Sequence, residues 1–179
     1  MPKHPKPAER QETSKSQVRR FLLIFLGIVG AYYALTLVPW VDGNILYPLL
    51  QLSAQTSSLL LNLTGENTTT KGIVIQGATF AVAVRRGCDP LEPIALFGAA
   101  VIAFPAPSRR KAMGLAIGAA LLFTLNVLRI VSLYWLGRHK SVWFETVHLE
   151  LWPAFFIIVS LSLWVLWLIW IRRTQPGYG

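Results

Sequence analysis

The stretch MGLAIGAALLFTLNVLRIVSLYWLG, residues Met113–Gly137, carries a single charged residue, Arg129, in an otherwise apolar run. About 20 consecutive apolar residues in a helix cross the hydrocarbon core of a bilayer, so this run reads as a membrane span. Two further runs, Phe21–Trp40 and Leu151–Ile171, contain no charged residue and read the same way. A fourth, Leu91–Ala106, is shorter and holds Glu92 near its start. It reads as a span whose outer end lies inside the bundle rather than against lipid. The expected fold is an all-α polytopic membrane bundle of about four transmembrane helices, at about residues 21–40, 90–106, 112–136 and 151–171, forming one membrane domain over 21–171.

Composition agrees. Of 179 residues, 54% are hydrophobic and 14% charged, against about 25% charged in a soluble domain. The net charge of +9 invites a nucleic-acid partner, but its placement argues for a membrane surface. Eleven of the seventeen basic residues flank spans on one side: six in residues 1–20, then Arg109, Arg110 and Lys111, then Arg172 and Arg173. That is the positive-inside pattern. It places both termini, 1–20 and 172–179, in the cytoplasm of a multi-pass inner (plasma) membrane protein, with residues 41–87 and 138–150 facing outward. No basic face is interleaved with aromatics, so membrane lipid and not nucleic acid is the expected partner. Residues 1–20 are polar and rich in Pro and Lys, the composition of a disordered tail. The run Phe21–Trp40 is longer than a signal-peptide core and has no small-x-small site after it, so it is expected to stay on the chain. One cysteine excludes an internal disulfide.

Between the first two spans, Asn44–Leu63 is apolar but broken by Gln51, Ser53, Gln55, Thr56, Ser57, Ser58 and Asn62. Leu49, Leu52, Leu59 and Leu63 recur at helical spacing. The segment reads as an outer amphipathic helix, on the surface or packed on the bundle, rather than as a fifth span, which would invert every later loop. After the polar turn Gly65–Thr70, two β-branched runs, Ile73–Ile75 and Thr79–Val84, surround Gly77, the signal of a short β-hairpin just before Cys88.

Three residues carry chemistry. Cys88 precedes a helix start in which Asp89 suits the N-cap, Pro90 the first turn, and Glu92 the capping-box position. The helix dipole, with Arg85 and Arg86 just before it, favours thiolate, while the Asp89 and Glu92 carboxylates oppose it. The plain alternative is a small buried hydrophobe. Arg129 lies about 12 Å below the outer end of its span at 1.5 Å per residue. At that depth it is expected to face the bundle interior as a functional group, with Asn126 on the same helix face; the alternative is an arginine snorkelling to headgroups. His148 ends an outer loop in which Glu145 and Glu150 are available to orient it; His139, between Arg138 and Lys140, reads as a headgroup contact. Topology brings Cys88, Arg129 and His148 to the same boundary, although 41 and 19 residues separate them along the chain. A thiol, an imidazole and a guanidinium suffice for acyl transfer through a nucleophile, a proton carrier and an oxyanion donor. No metal site is expected from one cysteine and one well-placed histidine, and no cofactor is called for.

In that order, Gly87-Cys88-Asp89, Asn126-Val127-Leu128-Arg129-Ile130 and Val147-His148-Leu149 resemble the exosortase/archaeosortase family of membrane-embedded cysteine transpeptidases, most closely the compact exosortase H type. The resemblance covers about residues 20–171. It implies Cys88 as nucleophile, Arg129 and His148 as its partners, and Asn126 as a supporting residue. It also implies as partners exported proteins that end in a short motif, a transmembrane helix and a basic tail, cut at the outer face and passed to an acceptor. Asp89-Pro90 departs from the small residues that often follow the family's cysteine, which bears on the local oxyanion geometry. The competing reading is a non-catalytic assembly or transport subunit in which Arg129 pairs with a partner helix.

Overall fold

The computed structural model describes residues 7–139 and 142–174. Its architecture is a helical bundle with a small antiparallel sheet at one end. Helix α1 runs Pro7–Thr36, α5 Ser108–Arg138 and α7 Trp152–Thr174. The three candidate spans are Lys15–Thr36, Ser108–Arg138 and Phe144–Arg173, each long and apolar enough to cross a membrane. The helix α4, Leu91–Ala103, has 13 residues, about 20 Å at 1.5 Å per residue, short of the roughly 30 Å hydrocarbon core. Its entry is sunk: Pro90 is fully buried and Asp89 nearly so. The fourth run of the sequence is thus an apolar helix that starts inside the bundle, three full-length helices standing around it.

Helix α4 packs on α1 and α7, and α5 packs on α3 (Tyr47–Leu63), α4 and α7. Gly114 and Gly118 permit the closest approaches on α5: a Cβ at Gly114 would strike the Trp167 indole, and one at Gly118 the Phe97 ring. Small residues at helix contacts are how apolar helices gain packing where lipid is as apolar as leucine. One core, with Phe97, Leu122, Phe156 and Trp167, joins α4, α5 and α7. The other, with Leu50, Ala54, Ile75, Val84, Ile130 and Tyr134, joins the far end of α5 to α3 and the sheet.

The segment after α1 is helical, as read: α2 (Pro39–Val41), a π-helical turn (Asp42–Leu46) and α3 (Tyr47–Leu63). Its packed face is the small-residue one and not the stripe of Leu52, Leu59 and Leu63. Leu52, Leu59 and Leu63 are 48%, 63% and 77% exposed, whereas Ser53, Ala54, Ser57 and Ser58 are buried. The small, hydroxyl-bearing face packs on the bundle with Leu50 and Leu61, while Leu52, Leu59 and Leu63 point outward, which suits a helix lying against lipid. Both ends of this segment are tied to one end of the bundle. Asp42 pairs with Arg86, just before Cys88, and Glu66, just past α3, pairs with Arg138 at the end of α5.

The sheet has three strands, β1 (Thr69–Lys71), β2 (Val74–Gln76) and β3 (Ala81–Ala83), in the order β1-β2-β3. The expected hairpin is β2–β3, with Ile75 opposite Val82. The added strand β1 comes from the polar stretch read as a turn, and Thr70 pairs with Ile75. Thr68 anchors it, accepting from the Asn62 amide at its carbonyl and donating its own N–H to Asn62 Oδ1.

A second correction concerns the amino-terminal stretch. Residues 7–20, expected within a disordered tail, are helical and continuous with the first span. Residues 1–6 and 175–179 of the two expected tails lie outside the described residues, as does Lys140 beside His139.

Candidate active site

Cys88 sits in the turn that enters α4. Gly87 adopts φ +85°, a conformation that favours glycine, and the Cys88 N–H donates to the Arg85 carbonyl. Asp89 stabilises this turn from both sides, accepting from the Gly87 N–H at 3.1 Å and the Leu91 N–H at 3.0 Å. The helix starts one residue later than expected, with Pro90 at its N-cap. No capping box closes. Glu92 instead accepts a 2.6 Å hydrogen bond from the Tyr33 hydroxyl, which ties α4 to α1.

His148 arrives from the other end of the chain. A short helix α6 (Phe144–Thr146) leads into a π-helical turn, Val147–Leu151, continuous with α7. Cys88 Sγ and His148 Nε2 are 3.0 Å apart across 60 residues of sequence. The local reason for the π turn is legible in the chain. Trp152 N–H donates to the Val147 carbonyl, five residues back. The residue that would serve the His148 carbonyl in the same register is Pro153, which has no N–H. The freed carbonyl accepts from Arg129 Nη2 at 3.3 Å.

Arg129 is 5% exposed, so it faces inward and does not snorkel. Its guanidinium carbon stands 5.8 Å from the centre of the Phe156 ring, within cation–π range. Its Nε is buried with no partner among the described residues. A relay that sequence reasoning missed fixes α5 against α7: Trp152 Nε1 donates to Ser132 Oγ, which donates to the Arg129 carbonyl. The signal that finds it is positional, since Ser132 follows Arg129 by one turn and Trp152 opens α7. Asn126 is completely buried on the same side of α5, but among the described residues neither of its amide atoms has a partner, Cys88, Arg129 and His148 included.

Two expectations change. Burial pushes the Cys88 thiol above its ordinary value, Arg129 pulls it down, and Asp89 adds to the rise. The neighbouring cations of the sequence do not set the sign, because Arg86 is turned away to Asp42. Glu145 and Glu150 are exposed and neither bonds to His148, so the arrangement is a thiol–imidazole pair backed by a guanidinium, without a carboxylate on the imidazole among the described residues. No cluster of three His, Cys, Asp or Glu side chains gathers metal-binding donors among those residues. His139 Nδ1–H donates to the Trp135 carbonyl at 2.8 Å and its ring stacks on the Trp135 ring, away from the pair.

Beside Arg129 lies a cavity of about 180 Å³ between α4 and α7, reaching from Gly87 and Asp89 to Ser160.

Fold and site together define a helical membrane protein with a thiol, an imidazole and a guanidinium at one end of its bundle. Residues 14–165 match the family model described as transmembrane exosortase (Exosortase_EpsH), and the chain belongs to that family. Membership carries a membrane transpeptidase or protease role in general. No curated protein and no solved structure matches the chain.

Proposed function

We propose that the chain is a cysteine transpeptidase that cleaves C-terminal sorting tags of exported proteins at the outer face of the inner membrane and transfers the product to an acceptor amine. The observation that carries this is the 3.0 Å approach of Cys88 Sγ to His148 Nε2. A pair at hydrogen-bond distance, brought together from two distant segments, is the geometry of an activated nucleophile.

With its proton on Nδ1, His148 takes the Cys88 thiol proton at Nε2 as sulfur attacks the scissile carbonyl. The S–C bond forms and the carbonyl oxygen becomes an oxyanion facing the Arg129 guanidinium. Collapse breaks the C–N bond, and His148 returns its proton to the leaving amine. An acceptor amine then attacks the thioester, giving its proton to His148, and the thiol is restored when sulfur leaves. A thiol raised by burial suits this order, since the resting pair is neutral and charge develops only during attack. Asn126 supports the Arg129 face of α5, while Asp89 and Glu92 hold the entry turn and the α1–α4 contact. Arg129 is inside its own bundle and bonded to the π-helical turn that leads into α7, which weighs against the non-catalytic reading, where it would serve a partner helix.

The test is Cys88→Ala in cells co-expressing an exported protein with a motif, a span and a basic tail that the wild-type enzyme processes. Processing is expected to stop; processing at the normal rate would overturn the reading.

A further inference from the structure

The cavity beside Arg129 contains a polar atom that the proposed chemistry does not use. Ser160 lines it and is 9% exposed, and its hydroxyl has no hydrogen-bond partner among the described residues. Most other helix hydroxyls satisfy themselves, although Ser57 Oγ in α3 shares the unpartnered state among the described residues. Ser53, Thr56, Thr124 and Ser162 each donate to the carbonyl four residues back. In an apolar setting that is the usual resort, and a buried hydroxyl left without it is costly.

The cavity also has a direction. Its lining runs from Gly87 and Asp89, which flank the nucleophile, past Arg129 and along α7 from Pro153 to Ser160. That reach is about 10 Å along the helix, or about three residues of extended chain. None of the cavity's lining residues belongs to the sheet or to α3. Asp89 is occupied by two backbone N–H groups and Glu92 by Tyr33. The remaining walls, Leu96, Phe156 and Ile157 among them, are apolar.

We infer that this cavity is the subsite for the leaving side of the substrate, the segment that follows the scissile bond, and that Ser160 is its positioning residue. The inference rests on the acyl-transfer reading of Cys88. The segment lies extended between α4 and α7 with apolar side chains, and Ser160 Oγ donates to a backbone carbonyl about three residues past the scissile bond. Backbone polar groups within hydrocarbon must find partners in protein, and this hydroxyl provides one. The acyl side stays on Cys88 and extends toward the sheet.

The probe is the same tagged exported protein, with the full-length enzyme in its membrane. First, a photo-crosslinking p-benzoylphenylalanine replaces Ile157 in a Cys88→Ala background, where the substrate is held but not cut. The crosslink is expected on residues C-terminal to the cleavage site. Second, pulse-chase follows precursor consumption in otherwise wild-type enzyme. Ser160→Ala is expected to slow it about five- to tenfold, the loss of one hydrogen bond, with Ser160→Thr close to wild type. Transfer of an already formed thioester to hydroxylamine is expected to be unchanged, because the leaving segment has gone by then. The melting temperature of Ser160→Ala is expected to be equal or higher, since the free enzyme makes no bond through this hydroxyl. Crosslinks confined to the N-terminal side of the cleavage site, no crosslink, or wild-type consumption by Ser160→Ala would overturn the inference and leave the role of Cys88 standing. Processing by the Cys88→Ala control would instead remove the reading beneath it.

Discussion

Replacing Arg129 with methionine separates the site's chemistry from the fold's stability. The guanidinium is 5% exposed and makes one hydrogen bond, from Nη2 to the His148 carbonyl at 3.3 Å. A bond to a charged group is worth about 1.5–3 kcal/mol, but this one is long, and the variant also removes the desolvation penalty of a buried cation. Exchanging buried charges for apolar groups of similar volume is often neutral or stabilising. Net stability is therefore expected to change by no more than about 1 kcal/mol, a balance of these two effects. The reaction has no such offset. Loss of an oxyanion donor costs about 10²–10³ in rate, about 2.7–4 kcal/mol. Arg129 also pulls the Cys88 thiol down, so its loss reduces thiolate as well. The assay is the initial rate of tagged-substrate cleavage by purified enzyme in proteoliposomes, with thermal melting measured on the same preparation. The expected result is a rate at least about 100-fold lower with an almost unchanged melting temperature. A rate within about threefold of wild type would refute the electrostatic role, far below the loss expected for an oxyanion donor. A collapse of folding that accounts for the lost rate would show that Arg129 is structural.

Two other predictions follow from the local geometry. Pro153→Ala supplies an N–H in register to compete for the His148 carbonyl; cleavage is expected to fall on the order of tenfold while the helix melts no earlier, and an unchanged rate would show that the Arg129 contact does not need that carbonyl. Alkylation of Cys88 by iodoacetamide is expected to have its pH midpoint above that of a free cysteine, because the raised thiol stays protonated to higher pH. Arg129→Met should move that midpoint further up, and a midpoint below the ordinary thiol range would contradict the dominance of burial.

The three long apolar helices, the helix after the first of them and the approach of Cys88, Arg129 and His148 to one end of the bundle were legible in the sequence because hydropathy, charge bias and one arginine in an apolar run are strong signals over long windows. Side-chain direction on α3 was not. The leucine rule assumes a core drier than its surroundings, and beside lipid the serines and Ala54 pack while Leu59 and Leu63 face out. The sign of the thiol's shift was left open by the sequence for a related reason. Arg86 is adjacent in sequence, but a long-range pairing with Asp42 takes it away, and burial of Cys88 comes from elements that no local pattern names. Glu92 likewise left its expected capping role for Tyr33, 59 residues distant. What decides the pair, the π turn ahead of α7, was written in Pro153 five residues past His148.

The central claim is a thioester on Cys88. Full-length enzyme in proteoliposomes, incubated with the tagged substrate and quenched in acid, should yield a Cys88-containing peptide carrying the substrate's N-terminal portion by mass spectrometry. Hydroxylamine added before the quench should remove that adduct and release the substrate portion as a hydroxamate. Cleaved substrate accumulating with Cys88 unmodified, and without hydroxamate, would contradict the account.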